Sequence, residues 1–417
     1  MTAVTDSHCQ LVRPTLVVLA STYPRWHGDP EPAFVHELSR RLVRRFRVLA
    51  IVPDAPGADQ SGLHDGVEVI RFRYAPRRLQ TLVNDGGIVS NLRRSRWKLL
   101  LLPAFFLAQA WSLWRLLRKT RVDAIHAHWL IPQGLIAVLL RKLMRRPPAL
   151  LVTSHGADLF ALRGYGMDAL KRFVIKNAGA VSVVSDAMRA ELARIGAPME
   201  KVSVKPMGVD LADSFKPDAM APRSDCELLF VGRLVEKKGL RYLLAAMPEV
   251  LEKAPEAHLT IVGFGPEADD LGCQVARLNL GNKVRFVGAL PQAMLPAYYQ
   301  RAALFVAPFV EAGSGDQEGL GLVAVEAAGC GCPVVLGDVP GAHGLLDPSC
   351  AKFVQPRNTA EFAASIIELL EDKSERERLA ALARERVAGT VDWSVVSKGY
   401  IELLDRIVRI LPRDYSA

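Results

Sequence analysis

The sequence predicts an α/β protein made of two doubly wound domains that face each other across a cleft. Its 417 residues exceed what one ordinary hydrophobic core supports. Short apolar runs alternate with segments of helical periodicity, as in folds with a parallel sheet. This alternation restarts after residues 210–224, which are rich in Asp, Pro and Ser. We therefore expect domains at residues 1–212 and 213–390, followed by a terminal segment at 391–417.

The predicted strands of the first half are short runs of β-branched residues and Leu, as expected of strands buried in a parallel sheet. Residues 15–20 form the first strand and lead into a loop, residues 21–32, that is rich in Pro, Gly and charge. Phe34, Leu38 and Leu42, four residues apart, predict the helix that follows. Further strands are predicted at residues 47–52, 122–126 and 150–153.

The second half repeats the pattern. Strands are predicted at residues 227–231, 258–262, 283–287, 304–307 and 333–336, and helices at 240–253, 268–278 and 295–300. No GxGxxG fingerprint follows the first strand, so we expect no dinucleotide site there. Ligands of open α/β sheets bind beyond the carboxyl ends of the strands. The motifs described below each follow a predicted strand.

The net charge of +9 is unevenly distributed. Residues 1–212 hold 31 Lys and Arg against 16 Asp and Glu, whereas the remainder holds 22 against 28. A basic first half suits nucleic acid, an anionic membrane surface or an anionic acceptor, and scattered surface arginine is the simpler alternative. No zinc-finger, RNP-like or helix-turn-helix signal accompanies the charge, so we do not expect nucleic acid as a partner.

The cysteines and the N-terminus indicate a reduced cytoplasm. The first ten residues contain no apolar run of the kind found in secretory signals. The six cysteines are scattered, apart from Cys330–Gly331–Cys332, and form no paired CxxC motifs. His126 and His128 share one face of a predicted strand, but further metal ligands are lacking nearby, so no metal site and no cofactor are expected.

Two carboxylates in GDQEGLGLVAVEAAGCGCPVV form the most informative pattern. Glu318 lies in a Gly-rich loop, and Glu326 lies in an apolar segment predicted to be a helix that opens at Gly319 and Leu320. The helical rise separates the carboxylates by roughly 12 Å, which suits an extended ligand. The free N–H groups of a helix start lie between them and favour a phosphate. This arrangement predicts a ligand whose groups follow the order sugar hydroxyl, phosphate, ribose hydroxyl from Glu318 to Glu326.

The segment resembles retaining glycosyltransferases of family 4, which have the GT-B fold of two Rossmann-like domains. Three motifs carry the resemblance, in the family's order and within residues 15–400: HGxD at His155, Gly156 and Asp158, the basic pair Arg233 and Lys238 in GRLVEKKG, and EX7E at Glu318 and Glu326. The resemblance implies that the last helix crosses back onto the first domain, as the amphipathic residues 395–410 would allow.

The resemblance also implies a role for each motif residue. Arg233 and Lys238 neutralise the departing nucleoside diphosphate. Lys237 is the alternative to Lys238 if the motif is aligned one position earlier, and a solvated basic turn without a ligand is the alternative for the pair. Glu326 accepts hydrogen bonds from the ribose, unless it is merely a capping carboxylate. Glu318 contacts hydroxyls of the transferred sugar. His155 lies at the reacting sugar, where a structural histidine is the alternative.

Glycines and one aromatic residue complete the expected donor site. The backbone N–H groups of Leu320, Gly321 and Leu322 are expected to face the diphosphate, and Gly319 and Gly321 permit its close approach. Weaker similarity adds four further residues: Gly232 beside Arg233, Gly263 and Gly265 in a GxGP turn, and Phe286 beside the nucleotide base. Two segments depart from the family pattern. Residues 26–32 lack its glycine pair, and residues 339–344 lack its glutamate.

The resemblance implies transfer of a hexose from a UDP- or GDP-linked sugar to a saccharide or lipid-linked acceptor, in surface polysaccharide or glycolipid synthesis. Attack on the same face as the leaving group would let the departing phosphate take the acceptor's proton. A nucleotide-sugar epimerase of the same fold would use the same donor cleft without an acceptor. A non-catalytic scaffold on a membrane would keep the fold without turnover.

Residues 99–117 form a long apolar segment with basic residues on both sides. Gln109, Ser112 and Arg115 interrupt it, and together with Lys119 just beyond it they form a polar stripe at helical spacing. A buried core helix, an interfacial helix on a membrane and a spanning helix are the three alternatives. The basic flanks would help an interfacial helix to find anionic lipid, and under that alternative the enzyme would lie on the inner face of the membrane.

Overall fold

The computed structural model describes residues 13–29, 31–84 and 87–409, apart from three side chains at positions 89, 90 and 93. Some predictions fall outside these residues. They are those on the first twelve residues, on Pro30 in the loop 21–32, and on the chain beyond Arg409.

The first half forms a sheet that contains eight strands within the described residues. They are β1 Thr15–Leu19, β2 Arg47–Pro53, β3 Gly62–His64, β4 Val67–Phe72, β5 Ala124–His128, β6 Ala149–Ser154, β7 Ala180–Val183 and β8 Val202–Val204. Their spatial order is β3-β4-β2-β1-β5-β6-β7-β8, and all neighbours are parallel except β3 with β4. Its helices are α1 Phe34–Leu42, α2 Gly87–Arg94, α3 Leu101–Lys119, α4 Leu135–Lys142, α5 Ala157–Phe160, α6 Tyr165–Asn177 and α7 Asp186–Arg194.

The second half forms a parallel sheet of six strands within the same described ranges. The strands are β9 Glu227–Val231, β10 His258–Val262, β11 Val284–Gly288, β12 Leu304–Ala307, β13 Val334–Gly337 and β14 Lys352–Val354, in the order β11-β10-β9-β12-β13-β14. The helices are α8 Leu240–Lys253, α9 Ala268–Arg277, α10 Leu295–Arg301, α11 Leu322–Gly329, α12 Thr359–Glu371, α13 Lys373–Val391 and α14 Trp393–Arg409. We call the two sheets with their helices the first and second lobes.

The predicted α/β class with two parallel sheets is confirmed, and the differences lie at element boundaries. The strand predicted at 122–126 is Ala124–His128, because two histidines are buried in it and interrupt its apolar pattern. The helix that carries Glu326 begins at Leu322, not at Gly319. Gly321 takes the left-handed conformation (φ +73°), which sets this later start.

The last helix packs on the first lobe. Trp393, Tyr400 and Leu404 of α14 belong to the same hydrophobic core as β1, β5 and β6. The Tyr400 hydroxyl donates to the Lys205 carbonyl oxygen at 3.1 Å, and Arg45 pairs with Asp405 at 3.1 Å. Because α13 packs in the second lobe's core and α14 in the first, the chain ties both lobes together beside the cleft.

Candidate functional site

A cleft of about 350 Å³ lies between the lobes, at the carboxyl ends of the central strands. Most of the predicted site residues line it: His155 from the first lobe, and Gly232, Arg233, Lys238, Gly263, Glu318, Leu320, Gly321, Leu322 and Glu326 from the second. Gly265, Phe286 and Gly319 do not belong to this lining. Gly319 instead packs against the backbone of His155 and Gly156, so the two lobes approach closely beside the cleft.

A buried ion pair forms the floor of the site. Lys238 Nζ lies 2.7 Å from Glu318 Oε2, and both side chains are largely buried. Glu318 Oε1 accepts the N–H groups of Gly319 and Gly321, each at 3.2 Å. Burial alone would raise the pKa of the Glu318 carboxyl, but the ammonium groups of Lys238 and Lys237 outweigh it and lower that pKa well below its usual range.

Burial lowers the pKa of Lys238, and the attraction of Glu318 opposes this effect. The Lys238 ammonium also lies over the Phe309 ring, 4.7 Å from its centre. The N–H of Gly321 was predicted to face the diphosphate, but in the structure it donates to Glu318 Oε1. Leu322 and Val323, at the first turn of α11, both line the cleft, and their N–H groups lack acceptors within the helix.

Two further cations line the cleft. Lys237 Nζ lies 3.3 Å from Asp316 Oδ1 and donates to the Gln317 carbonyl oxygen at the same distance. Arg233 follows β9 and has no carboxylate at ion-pair distance among the residues described. Its guanidinium reaches towards Gly87 at the start of α2, where an added Cβ would lie 3.7 Å from Nη1. Arg233 is therefore the cation whose charge is available to a ligand.

Glu326 occupies a different environment from Glu318. Its carboxylate is 6% exposed and accepts from the Tyr299 hydroxyl at 3.0 Å and from Gln292 Nε2 at 3.3 Å. Burial raises the pKa of Glu326 to about 7, although these hydrogen bonds and the charge of Lys238 act in the opposite direction. Sequence reasoning missed Tyr299 and Gln292, since neither stands in a recognisable motif.

His155 lies in an aromatic cluster on the first lobe's side. Its Nε2 is 2.9 Å from Nδ1 of His128, and the two rings stack 5.1 Å apart at 8°. The rings of Phe34 and Trp129 lie 4.8 and 5.0 Å from it. Burial lowers the pKa of His155 to about 3, so the imidazole is neutral near pH 7. The sequence did not predict this contact between His128 and His155.

Asp158 connects the turn that carries His155 to the neighbouring strand end. One carboxylate oxygen accepts from the Ser154 hydroxyl at 2.7 Å, and the other from the N–H of Leu130 at 2.6 Å. Burial raises the pKa of Asp158, against these hydrogen bonds. Within the described parts of the chain, no group of three or more His, Cys, Asp and Glu side chains is arranged to hold a metal ion.

Two family models match the chain. Residues 215–386 match "Glycosyl transferases group 1", and residues 32–208 match "Glycosyl transferase 4-like domain". A glycogen synthase of Mycobacterium tuberculosis is 31% identical over 295 residues, covering 67% of this chain and 68% of that protein. The chain belongs to the group 1 glycosyltransferases. The resemblance drawn from its three motifs is thereby confirmed.

Other relatives of this glycosyltransferase carry more specific names. A GDP-mannose-dependent phosphatidylinositol monomannoside mannosyltransferase of Mycolicibacterium smegmatis is 28% identical over 70% of this chain and 78% of its own length. A putative colanic acid biosynthesis glycosyltransferase, WcaL of Escherichia coli, is 27% identical over 69% of this chain and 71% of its own length.

Solved structures confirm the GT-B fold of this glycosyltransferase. The sucrose-phosphate synthase of Thermosynechococcus elongatus superposes with a TM-score of 0.76 at 24% identity, covering 95% of this chain and 100% of that one. HepE of Anabaena, solved with UDP and glucose, gives a TM-score of 0.73 at 19% identity, covering 94% and 100%. At such identities the similarity establishes the fold and not the substrate.

Proposed function

We propose that this chain is a retaining hexosyltransferase. It moves a hexose from a UDP- or GDP-linked sugar to a saccharide or lipid-linked acceptor, in surface polysaccharide or glycolipid synthesis. It works in the cytoplasm, in keeping with free cysteines at positions 226, 273, 330, 332 and 350. The observation that carries the proposal is the cleft, which brings Arg233, Lys238, Glu318, Glu326 and His155 together from two lobes.

The cationic side of the cleft suits the departing nucleoside diphosphate. When the sugar–phosphate bond breaks, negative charge develops on the phosphate oxygens and must be stabilised in place. Arg233 offers a planar fork of donors, and Lys238 offers a point charge fixed by Glu318 at 2.7 Å. Because the charges are already oriented before the reaction, little reorganisation is needed when the bond breaks.

The two carboxylates suit the two ends of the donor. Glu318 is held ionised by Lys238 and by two backbone N–H groups, so it can accept from hydroxyls of the transferred sugar. Glu326 lies beyond the start of α11 and can accept from both ribose hydroxyls. The open N–H groups of Leu322 and Val323, between the two, face the position left for phosphate.

His155 serves this reaction as a neutral hydrogen-bonding group. With a pKa of about 3 it is neutral near pH 7 and too weak a base to take the acceptor's proton. The departing phosphate is then the group that takes the acceptor's proton, as attack on the same face requires. Relatives named for colanic acid and for phosphatidylinositol mannoside synthesis support a surface polysaccharide or glycolipid product.

The donor is found by thermal shift against UDP-glucose, UDP-galactose, UDP-N-acetylglucosamine and GDP-mannose. A specific donor at a hundred times its Kd adds about 2.7 kcal/mol to the stability of the fold. Transfer is then measured with saccharide and polyprenyl-phosphate acceptors, and NMR of the product reports whether the anomeric configuration is kept. An inverted product contradicts the retaining mechanism.

Lys238→Ala and Lys237→Ala test which of the two lysines acts on the diphosphate beside Arg233. We expect the first to lower kcat/KM by two to three orders of magnitude and the second by much less. Lys238→Ala has two effects: it removes a cation from the phosphate, and it leaves the buried Glu318 carboxylate without an ion-pair partner. The double variant Glu318→Gln with Lys238→Ala removes the second effect and so separates the two. If the double variant regains activity over Lys238→Ala, Lys238 acts only by neutralising Glu318. A changed nucleotide sugar without acceptor indicates an epimerase, and no donor binding at all indicates a scaffold.

A further inference from the structure

The first lobe contains a long stretch of chain that is almost free of acidic residues. Residues 86–157 hold twelve Lys and Arg side chains and one carboxylate, Asp123. The stretch includes α2, α3 and α4 together with β5 and β6. Most of the excess positive charge of the first half therefore comes from these helices and the turns beside them.

Helix α3 presents two opposite faces. Leu101, Phe105, Gln109 and Leu113 are buried against the sheet, at intervals of four residues. The opposite stripe is exposed and begins apolar. Leu100 is 80% exposed, Leu107 70% and Trp111 65%. Arg115 and Arg118 continue the same stripe towards the end of the helix.

By length and composition, residues 96–119 are long and apolar enough to cross a membrane. The buried face argues against crossing. Phe105 and Leu113 belong to the first lobe's core, and Gln109 Nε2 donates to the Ala20 carbonyl oxygen at 3.4 Å. Withdrawing this face into lipid would expose the sheet beneath it, so the helix lies on a surface and does not span.

Helix α4 packs beside α3 and extends the apolar area. Leu139 and Leu143, one helical turn apart, are 50% and 71% exposed. Eight exposed cations surround the two helices and have no carboxylate partner in the described portions of the chain: Arg94, Arg96, Arg115, Arg118, Lys119, Arg121, Lys142 and Arg145. We call the exposed apolar residues of α3 and α4, with these cations, the α3–α4 face.

We propose that the α3–α4 face docks on an anionic phospholipid bilayer. Exposed Leu and Trp side chains insert at the boundary between headgroups and acyl chains, while the cations contact lipid phosphates. The apolar centre alone would also suit a second protein, but a rim of eight cations that no carboxylate neutralises within the described residues matches a negatively charged surface. A second copy of this chain carries the same positive face and would be repelled.

The position of the face fits a substrate that is itself held in the membrane. Helix α2 starts at Gly87 in the cleft, beside Arg233, and its eight residues span about 12 Å. The chain then passes through a 3-10 turn at Arg96–Leu100 into α3. An acceptor whose lipid tail stays in the bilayer would need to raise its headgroup only a short distance. This last point rests on the proposed transfer reaction, whereas the docking itself does not.

Docking is tested with the full chain and sedimenting vesicles of phosphatidylcholine, with and without phosphatidylglycerol. We expect binding to the anionic vesicles only, and its loss at 1 M salt, where the Debye length is about 3 Å. Equal partitioning to both vesicles, or none to either, overturns the proposal. Release of the bound protein by alkaline carbonate distinguishes docking from a spanning helix.

Matched variants locate the surface. Arg115→Gln with Arg118→Gln should weaken binding about 25-fold, at roughly fivefold for each lost charge. Lys216→Gln with Lys373→Gln removes the same charge from exposed positions of the second lobe and should bind like the wild type. If both pairs weaken binding equally, the attraction is general and the α3–α4 face is not the docking site.

The apolar part is tested in the same way. Leu107→Ser with Trp111→Ser should weaken binding at least tenfold, because it removes apolar area that would insert into the bilayer. Both side chains are exposed, so the substitutions leave the core intact. Leu63→Ser with Met220→Ser changes equally exposed residues elsewhere and serves as control. Sedimentation velocity without lipid tests whether the α3–α4 face instead binds a second copy of this chain. A dimer that Leu107→Ser with Trp111→Ser dissociates would assign the face to self-association and overturn the proposal.

Discussion

Replacing Glu326 by Gln should make the protein more stable while weakening its binding of the donor. The wild-type carboxyl is buried, and its pKa rises from 4.5 to about 7. A pKa that is higher in the folded than in the unfolded chain means that the group favours folding most below about pH 4.5. That advantage is lost as the pH rises through about 7.

The size of the effect follows from the two pKa values. A tenfold change in a proton affinity is worth about 1.4 kcal/mol, so full ionisation of Glu326 penalises the fold by roughly 3 kcal/mol. Glutamine has nearly the same volume and stays neutral. Its advantage over the wild type should therefore grow by about 2 kcal/mol in unfolding free energy between about pH 5.5 and about pH 8.5.

The assay is urea unfolding of both proteins at several pH values, with the exposed Glu377→Gln as a control for loss of one carboxylate. Donor affinity is measured by calorimetry at pH 8.5, where we expect roughly a tenfold loss because an amide nitrogen cannot accept from a hydroxyl. A stability difference that is constant across this pH range would refute the reasoning about Glu326. Unchanged donor affinity would refute its assignment to the ribose.

Three further outcomes are expected. Tyr299→Phe removes a hydrogen bond to ionised Glu326 and so raises the pKa of this carboxyl in the folded chain. In urea titrations the loss of stability should still begin near pH 4.5 but should be complete about one pH unit higher than in the wild type. Between about pH 5.5 and 8, kcat/KM should show no inflection from His155, and a His155→Gln variant should give a parallel profile at lower activity. Gly263→Ala should destabilise by several kcal/mol in thermal melts, because its Cβ would lie 1.9 Å from a carbonyl oxygen, whereas Gly272→Ala in α9, with open space around it, should stabilise slightly.

The two sheets could be predicted because their central strands are buried on both faces. Residues 15–19 and 227–231 are continuous apolar runs in the sequence, apart from their first positions, and every residue is buried in the structure. The short edge strand at Gly62–His64 is exposed or half-exposed and leaves no such signal. Periodicity also misjudged Gln109, which was placed on a polar stripe of α3 but is fully buried against the sheet.

The residues of the candidate site were found by motif, but their partners were not. Lys238 and Glu318 are eighty positions apart, and nothing in either segment indicates an ion pair between them. Tyr299 reaches Glu326 only because α10 packs against α11. Such contacts depend on how the helices pack on the sheet, and the local pattern of each helix does not contain that information.

The contact between His128 and His155 in the first lobe also depends on how distant segments of the chain pack together. Register pairs His128, at the end of β5, with Thr153 on β6, and His155 follows two residues later. The two imidazoles therefore meet beyond the ends of adjacent parallel strands, where the fold places ligands. Burial lowers the pKa of both rings. In the proposed reaction, the first lobe contributes His155 to the cleft as a neutral hydrogen-bonding group, whereas the second contributes the charges of Arg233 and Lys238. That division favours a reaction driven by electrostatic stabilisation of the departing phosphate over one that needs an acid from the enzyme.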